Sequence, residues 1–408
     1  MELIIQGIFS AINELISTAN AISTILAISF LLLALETAHW LRACSPLRIK
    51  TYDYDVIRNK NGFRVLFWID ITNPDSKMEV MVPEIYIKPI LLGKEGVNQL
   101  PIKTTLQSFH PDEEPRKDGY WSAYIIKSKQ TTKASVTIDI ENSENLEANA
   151  LIDNIWVDIH WVNYGPFGRL NLRNGSVIPI KSPEPLTQEN SYFQQHKECQ
   201  ILPIRTHLLG SNDDIVEVIS KYVAPIVQPD DVLTIGETPL AIMQGRYSHP
   251  SNIEPGIVAK VICRAFQPTS SLATACGLQA LINIVGPTRV LLSFLIGFGG
   301  RLIGLKGLFY RLAGEQARLI DDITGTTPPY DQTIVLGPRN SNKLCQNISK
   351  QLGIKVAIVD VNDLGRVKIL ATSDKHKKVF LKKALRKNPA GNANEQTPLV
   401  LVRPYSRK

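Results

Sequence analysis

The hydrophobic pattern of this chain changes twice along its length, and each change predicts a different kind of structure. The first pattern is a run without charged residues from Leu15 to Leu35, bounded by Glu14 and Glu36. A helix rises about 1.5 Å per residue, so a helix of this length just spans the hydrocarbon core of a bilayer. The sequence therefore predicts a membrane anchor within residues 1–50.

The residues around this run predict how the anchor is oriented. Arg42, Arg48 and Lys50 follow it, so the positive-inside rule predicts a single-pass membrane protein with the bulk of the chain in the cytoplasm. Asn20 and Ser23 inside the run keep open a helix that lies on the membrane surface or on a partner. A cleaved signal peptide is disfavoured, because no lysine or arginine precedes the run and no clear cleavage site follows it.

The second pattern, across residues 51–180, has the period of two that is typical of half-buried strands. Phe63, Phe67 and Ile71 share one face of such an alternation, which stops at Asn73–Pro74. Turn-forming clusters separate further runs at residues 84–90, 121–127, 134–140 and 155–162. This spacing predicts an antiparallel β-sandwich. The Ile-Thr-Asn-Pro turn and the strand after it resemble the immunoglobulin-like modules of late embryogenesis abundant proteins.

The third pattern follows a linker predicted at residues 181–200, where proline, glutamine and asparagine are frequent. Residues 201–408 alternate strand-like and helix-like segments, which predicts an α/β (α+β) domain. Its apolar run Val290–Phe298 is too short to span a bilayer. We expect this run to form a core helix, with peripheral membrane contact as the alternative.

The composition of the chain limits the classes of partner and metal site that we expect. The net charge of +7 is small and scattered over 408 residues, which predicts no nucleic-acid partner. The small excess of positive charge fits a phosphate-bearing partner and an anionic membrane surface equally well. The five cysteines are far apart and include no Cys-x-x-Cys pair, so we expect reduced thiols and no zinc site.

One strand end carries candidate chemistry. The apolar run Val356–Val359 ends in Asp360, Asn362 and Asp363, and Gly365 then supplies the backbone freedom of a sharp turn. Oxygen ligands at this spacing suit Mg or Mn. An acidic turn that closes a core strand explains the same residues, so the residues alone leave both interpretations open.

Several segments of the C-terminal half resemble, in order, the γ-glutamyl ligase that extends coenzyme F(420). The segments are Leu202–Thr206, Asp213–Ile215, Asp231–Ile235, Gly245–Arg246, Leu319–Asp322, Ile334–Pro338 and Val356–Arg366. The resemblance covers roughly residues 201–403. It implies an α/β ligase, usually dimeric, that uses GTP and divalent metals to join a carboxylate to an amine, with a nucleotide and a small anionic molecule as partners.

The resemblance also implies a set of site residues. The metal ligands would be Asp321, Asp322, Asp360 and Asp363. The nucleotide or phosphate contacts would be Arg246, Arg339, Ser341, Asn342, Lys343 and Arg366.

The chain departs from the ligase pattern in the segment Gly236–Arg246. The lysines and the glutamate of the family motif are missing there, and Thr238, Ile242 and Gln244 stand instead, which cannot neutralise phosphates. Two alternatives to a ligase therefore stay open. One is a non-catalytic binding or scaffold protein on a degenerate ligase fold, and the other is a β-sandwich that binds a partner within a membrane complex.

Overall fold

The computed structural model describes residues 2–40, 47–116, 118–143, 147–165, 167–323, 326–391 and 395–405. The chain divides into two units, residues 1–46 and residues 47–408. Arg42, on which the predicted orientation partly depends, lies outside the described residues.

The described residues of the N-terminal unit form the helix α1 (Glu2–Trp40), which extends beyond the uncharged run Leu15–Leu35 at both ends. Its segment Ser17–Thr37 has a mean hydropathy of 2.0 and is long and apolar enough to cross a membrane, as a signal sequence also is. Within this segment, the hydroxyls of Ser23 and Thr24 donate to the Asn20 carbonyl oxygen at 2.9 and 2.8 Å. These polar side chains are therefore satisfied inside the helix, and they do not oppose its insertion in lipid.

The second unit begins with a β-sandwich, which confirms the fold class expected for this part of the chain. Its strands are β1 (Arg48–Asn59), β2 (Gly62–Thr72), β3 (Val80–Val82), β4 (Ile85–Gly93), β5 (Ile102–Phe109), β6 (Tyr124–Ile126), β7 (Thr131–Glu141), β8 (Ile152–Gly165) and β9 (Gly168–Pro179), with a short helix α2 (Ala148–Leu151) before β8. One sheet has the order β1-β2-β7-β5, and the other has the order β4-β8-β3-β6 with β9 also paired to β8.

The period of two in the sequence places one face of each strand in the sandwich core. Phe63, Phe67 and Ile71 of β2 are 2% exposed or less, and β2 pairs with β7 without a register shift. A one-residue slip would turn these side chains to solvent, so the buried face holds the register.

A mixed α/β region follows, as the third pattern predicts. Its elements are β10 (Gln194–Gln195), β11 (Cys199–Ile204), α3 (Ile215–Tyr222), β12 (Val232–Gly236), α4 (Glu237–Met243), β13 (Tyr247–Ser248), α5 (Ile257–Ile262), α6 (Ala275–Val285), α7 (Pro287–Leu302), α8 (Leu308–Ala313), β14 (Ile334–Val335), α9 (Ser341–Leu352), β15 (Lys355–Val361), β16 (Val367–Thr372), α10 (Lys378–Ala384) and β17 (Leu399–Pro404).

The main sheet of this region has the strand order β10-β11-β17-β12-β15-β16. Strands β12 and β15 run parallel, whereas the other paired neighbours in this sheet are antiparallel. Helices α3 and α9 cover one face, where Ile219, Tyr222 and Ile348 are fully buried. Helices α5 to α8 build a separate apolar cluster.

The sandwich packs directly on the α/β region. Trp156 and Val177 of the sandwich share one apolar cluster with Tyr247 and Tyr330. The Tyr247 hydroxyl also donates to the Gly175 carbonyl oxygen at 2.7 Å. Burial of these aromatic rings stabilises the contact between the sandwich and the α/β region. The sequence pattern does not predict this contact.

The run Val290–Phe298 forms a helix as expected, but the expectation that this helix lies in a core is wrong. This run lies within α7, of which Val290, Ser293 and Gly300 are buried, while most of its large apolar side chains are exposed.

We expect Gly175→Ala to loosen the junction between the sandwich and the α/β region. A Cβ atom on Gly175 would lie 1.9 Å from Cζ2 of Trp156, so the indole must move. Overpacking of this kind lowers the free energy of unfolding by about 1–3 kcal/mol, which thermal unfolding of the purified chain in detergent measures. Gly299→Ala is the control, because its Cβ would meet nothing within 4 Å. Equal stability of the two variants would contradict the packing described here.

Candidate functional site

The parallel pair β12 and β15 delivers two acidic residues to one edge of the main sheet. Gly236 pairs with Val359 at the carboxyl ends of these strands, and the next residues are Glu237 and Asp360. Ligand sites in α/β proteins form outside the carboxyl ends of parallel strands, because the chain leaves the sheet there and opens a crevice. The backbone pairing therefore brings together two carboxylates that are far apart in sequence.

Glu237 is the most strongly perturbed of these acids. It begins α4 and is 8% exposed, and its Oε2 atom has no hydrogen-bond partner among the described residues. Burial raises the pKa of Glu237 well above its usual range, and the charges of Asp321 and Asp360 raise the pKa further. A buried carboxyl oxygen without a hydrogen-bond partner is energetically unfavourable. A bound ligand could supply the missing partner.

Asp321 joins the two strand ends from a separate segment. It pairs with Val335 in an isolated bridge, and its Oδ2 atom lies 3.1 Å from the Thr238 hydroxyl. That hydroxyl also lies 3.2 Å from Glu237 Oε1, and its single proton serves one carboxylate at a time. Burial raises the pKa of Asp321 from 3.8 to about 6, because the Thr238 hydrogen bond only partly opposes the desolvation.

Asp360 lies at the end of β15 and is only partly exposed. Burial raises its pKa, while the charges of Arg366 and Lys368 oppose the rise. Arg366 itself is exposed, and its backbone N–H donates to Asn362 Oδ1 at 3.0 Å. Its guanidinium therefore acts on the site through charge, from the turn that follows β15.

These three carboxylates line a cavity of about 380 Å³, which is within the size range of small-molecule sites. The lining also includes His207, Thr238, Arg318 and Asn362. Arg318 is the one lysine or arginine among the described lining residues. The cavity is therefore acidic, with one exposed cation at its wall.

The acidic residues do not form a ready ligand set for a metal. In the ranges that the structure describes, no group of three or more His, Cys, Asp or Glu side chains is arranged to hold a metal ion. Magnesium is usually held by one or two carboxylates, with substrate phosphates and water as its other ligands. A pair of these carboxylates with the Thr238 hydroxyl or the Asn362 amide oxygen fits that donor chemistry.

The other two predicted metal ligands are not among the described residues that line the cavity. Asp322 is buried and accepts a hydrogen bond from Thr274, the N-cap residue of α6, whose hydroxyl accepts from the Gly277 N–H. Its carboxylate therefore supports the start of a helix. Asp363 lies in the exposed turn after β15 and accepts from Asn388 Nδ2 at 2.8 Å.

Arg246, predicted as a phosphate contact, is buried and engaged elsewhere. Its Nε atom donates to the Gly337 carbonyl oxygen at 2.5 Å, and one terminal nitrogen lies 3.4 Å from Gln316 Oε1. Burial lowers the pKa of Arg246 to about 10, with a smaller contribution from the charge of Arg339. Arg246 thus holds the chain between β14 and α9 in place.

The predicted phosphate residues at the start of α9 are likewise absent from the described cavity lining. The backbone N–H and carbonyl of Arg339 bond to the Gln244 side chain at 2.7 and 3.2 Å. Ser341, Asn342 and Lys343 form the first turn of α9, which has no side-chain cap. The structure therefore brings Asp321 and Asp360 to one cavity. The predicted phosphate contacts Arg339 and Lys343 are not among the described residues of its wall.

Glu237, Thr238 and Arg318 are the cavity residues that the sequence reasoning missed. The departure of the segment Gly236–Arg246 from the ligase motif does not single out Glu237. A usable signal exists, because Glu237 comes directly after a buried apolar run, as Asp360 does. Nothing in the sequence indicates that the two strands are neighbours.

Comparison with known proteins connects the sandwich to a ligase family. Residues 47–182 match the sequence profile of the N-terminal Ig-like domain of F420-0:gamma-glutamyl ligase. The match covers about a third of the chain. No curated protein matches the chain significantly. Among solved structures, the ASH / PapD-like domain 7 of human CEP192 is 10% identical with a TM-score of 0.18, over 33% of this chain and 84% of that one. That TM-score is too low to carry an argument.

The profile match supports the relation to the ligase family in a different part of the chain from the sequence motifs. The sequence motifs place the likeness to the ligase in residues 201–403 and leave the sandwich outside it, whereas the family profile matches the sandwich and leaves the C-terminal half unassigned. The relation to the ligase family therefore rests on the Ig-like domain.

We expect Asp321→Asn to stabilise the fold above about pH 6. The pKa of Asp321 is raised from 3.8 to about 6 in the folded chain, so the folded state binds more protons and its free energy of unfolding falls as the pH rises between these values. At about 1.4 kcal/mol per pKa unit, the penalty at neutral pH reaches about 3 kcal/mol. Thermal unfolding should give a higher Tm for the variant at neutral pH and little difference near pH 4. A pH-independent difference would contradict the assignment, and Asp363→Asn is the control.

Proposed function

We propose that the cavity beside β12 and β15 binds a divalent cation, Mg or Mn, together with a small anionic ligand, as the site of a ligase-like reaction. The observation that carries this proposal is that Glu237, Asp321 and Asp360 line one cavity, where the Oε2 atom of Glu237 has no hydrogen-bond partner among the described residues. Three acids with raised pKa values are unfavourable together unless positive charge offsets them.

A hard cation is the ligand that this donor chemistry fits best. Carboxylate, hydroxyl and amide oxygens surround the cavity, and neither cysteine nor a second histidine is among its described lining residues. Oxygen donors favour Mg and Mn over softer metals. Glu237 and Asp360 would hold the ion as a pair, with the Thr238 hydroxyl or the Asn362 amide oxygen as a further donor. Asp321 would add negative charge beside them and accept from the Thr238 hydroxyl.

The reaction class follows from the relation to the ligase family. In a nucleotide-dependent ligation, a phosphoryl group passes from the nucleotide to a substrate carboxylate, an amine attacks the acyl carbon, and phosphate leaves as the amide forms. The bound cation supplies neutralisation of phosphate charge in such a reaction. Arg318 is placed to orient an anionic group, since it is the cation in the described cavity wall.

We also propose that α1 anchors this activity to a membrane. Its segment Ser17–Thr37 has the length and hydropathy of a membrane span, and internal hydrogen bonds satisfy the hydroxyls of Ser23 and Thr24 within it. A single-pass anchor with the rest of the chain in the cytoplasm is the arrangement that the positive-inside rule favours.

A second candidate function is ligand binding without catalysis. The positions of the predicted phosphate-binding arginine and lysine side chains favour it. Arg246 is engaged by Gly337 and Gln316, and Arg339 and Lys343 are not among the described residues of the cavity wall. Transfer of a phosphoryl group calls for several donors to its oxygens. On this alternative, the cavity binds a cation and a small ligand but does not bind GTP productively.

Titration of the purified full chain in detergent with Mn, GTP and ATP separates these functions. We expect Mn to bind, and its affinity to rise with pH through about 6 and above, because burial raises the pKa of both Asp321 and Glu237 and these carboxyl groups must lose their protons. We expect Glu237→Gln and Asp360→Asn to weaken Mn binding by about tenfold or more, since each removes a carboxylate from the cavity.

Asp363→Asn is the matched control, because Asp363 lies on the same turn as the end of β15 but outside the described lining. Mn binding that is unchanged in Glu237→Gln and Asp360→Asn would sink the cation site. Mn binding without Mn-dependent binding of GTP or ATP would favour the non-catalytic function, whereas Mn-dependent nucleotide binding would favour the ligase.

A further inference from the structure

Helix α7 has the reverse of the side-chain distribution of a helix in a soluble protein. Most of its large apolar residues face outward, and its buried residues are Val290, Ser293 and Gly300. We define the α7 surface by the exposed apolar residues of α7 and of the segment directly after it, which are Leu291, Leu292, Leu295, Ile296, Phe298, Leu302, Ile303 and Leu305. Each of them is at least 41% exposed, and Leu302 and Ile303 at the end of the helix reach 76%. An exposed apolar surface of this extent marks a contact with a partner or a membrane.

The inner face of α7 is occupied and cannot turn to bury the outer one. A Cβ atom on Gly297 would lie 2.9 Å from Cβ of Phe309, and one on Gly300 would lie 2.8 Å from Cδ2 of Leu308. Glycine therefore allows α7 and α8 to approach closely. Small residues between helices with large apolar residues outside are characteristic of helices packed in lipid.

The charge around this surface is of one sign. Between Glu254 and Glu315 the sequence has no acidic residue, and it has six cations, which are Lys260, Arg264, Arg289, Arg301, Lys306 and Arg311. The whole chain has a net charge of +7, so most of this excess is concentrated in one segment. Arg301 and Lys306 are exposed and flank Leu302, Ile303 and Leu305, where long cationic side chains can reach lipid headgroups.

The geometry favours a helix that lies in the membrane surface over one that spans it. Helix α7 has 16 residues, or about 24 Å, and is shorter than a bilayer core. Together with α6 it has the length and hydropathy of a span, but the two helices are bent by 114°. Leu278, Leu281 and Ile282 of α6 are buried in the protein, so α6 cannot enter lipid without unfolding its core.

We propose that the α7 surface inserts into the interfacial region of an anionic phospholipid bilayer. The apolar side chains enter the boundary between headgroups and acyl chains, and Arg301 and Lys306 bind anionic headgroups. A second copy of the chain is a poorer occupant. A symmetric contact through this surface would bring its cations close to the same cations of the partner copy.

Fluorescence quenching in liposomes tests this contact on the full chain. Cysteine is introduced by Leu302→Cys or, as the control, by Leu364→Cys, where the exposed side chain lies in the turn between β15 and β16. Both are made in a Cys44→Ser background, labelled with an environment-sensitive fluorophore, and corrected for labelling of the background chain. The vesicles contain phosphatidylcholine alone or with phosphatidylglycerol, and nitroxide-labelled acyl chains serve as the quencher. Flotation of the vesicles reports separately whether α1 anchors the chain.

We expect the label at position 302 to be quenched several-fold more than the label at position 364, with an increase when phosphatidylglycerol is present. Equal quenching at the two positions would overturn the proposal. A label at position 302 that is shielded from water but not quenched by nitroxide, in a chain that cross-links as a dimer, would also overturn it and assign the surface to a second copy.

A charge-matched pair of variants tests the role of the cations. Arg301→Gln with Lys306→Gln should reduce the phosphatidylglycerol-dependent quenching, because each cation near an anionic surface contributes about fivefold to membrane affinity. Lys375→Gln with Lys378→Gln removes the same charge from an exposed segment near α10 and should leave the quenching unchanged. Equal losses in both double variants would contradict binding through the α7 surface.

Discussion

The parallel pairing of β12 with β15 is the constraint on which the candidate site depends. It is the one parallel pair among the strands that the structure describes. The parallel register ends at Gly236 and Val359, so the next residues, Glu237 and Asp360, lie at the same edge. Antiparallel pairing would put the end of one strand beside the start of the other and separate the acids by the length of the strands. The flanking strands β17 and β16 hold this pair from both sides.

The same arrangement stores an electrostatic penalty in the fold. Desolvation is the largest cause of the raised pKa of Glu237, Asp321 and Asp360, and the described residues nearby offset it only in part, through the Thr238 hydroxyl and the charges of Arg366 and Lys368. Sites that bind ligands commonly keep such unfavourable groups, because the ligand supplies the missing partner. An acidic cavity with one arginine in its described wall favours the binding of a cation over the binding of an anion alone.

Two further contacts join the parts of the second unit. The cluster of Trp156, Tyr247 and Tyr330 fastens the Ig-like sandwich to the α/β region, and the close approach of α7 to Phe309 leaves the large apolar residues of α7 outside. Through the first contact, the sandwich and the α/β region belong to one compact unit. The second leaves an apolar surface that no other described element covers.

The sequence by itself determined the architecture in outline. An uncharged run predicts α1, a period of two predicts the sandwich strands, and buried apolar runs predict β12 and β15, because each pattern reflects a local period of burial. It also marked Asp321 and Asp360 as candidates. It did not reveal Glu237, and it gave Asp322, Asp363 and Arg246 the same standing as the cavity residues.

Only the tertiary structure decided which of these residues meet. Whether a carboxylate after a strand faces a cavity, supports a helix as Asp322 does, or lies in a turn as Asp363 does depends on which strands are neighbours. The apolar run in α7 reads as core for the same reason. Hydrophobicity in sequence reports that a side chain avoids water, and the fold decides whether protein or another phase covers it.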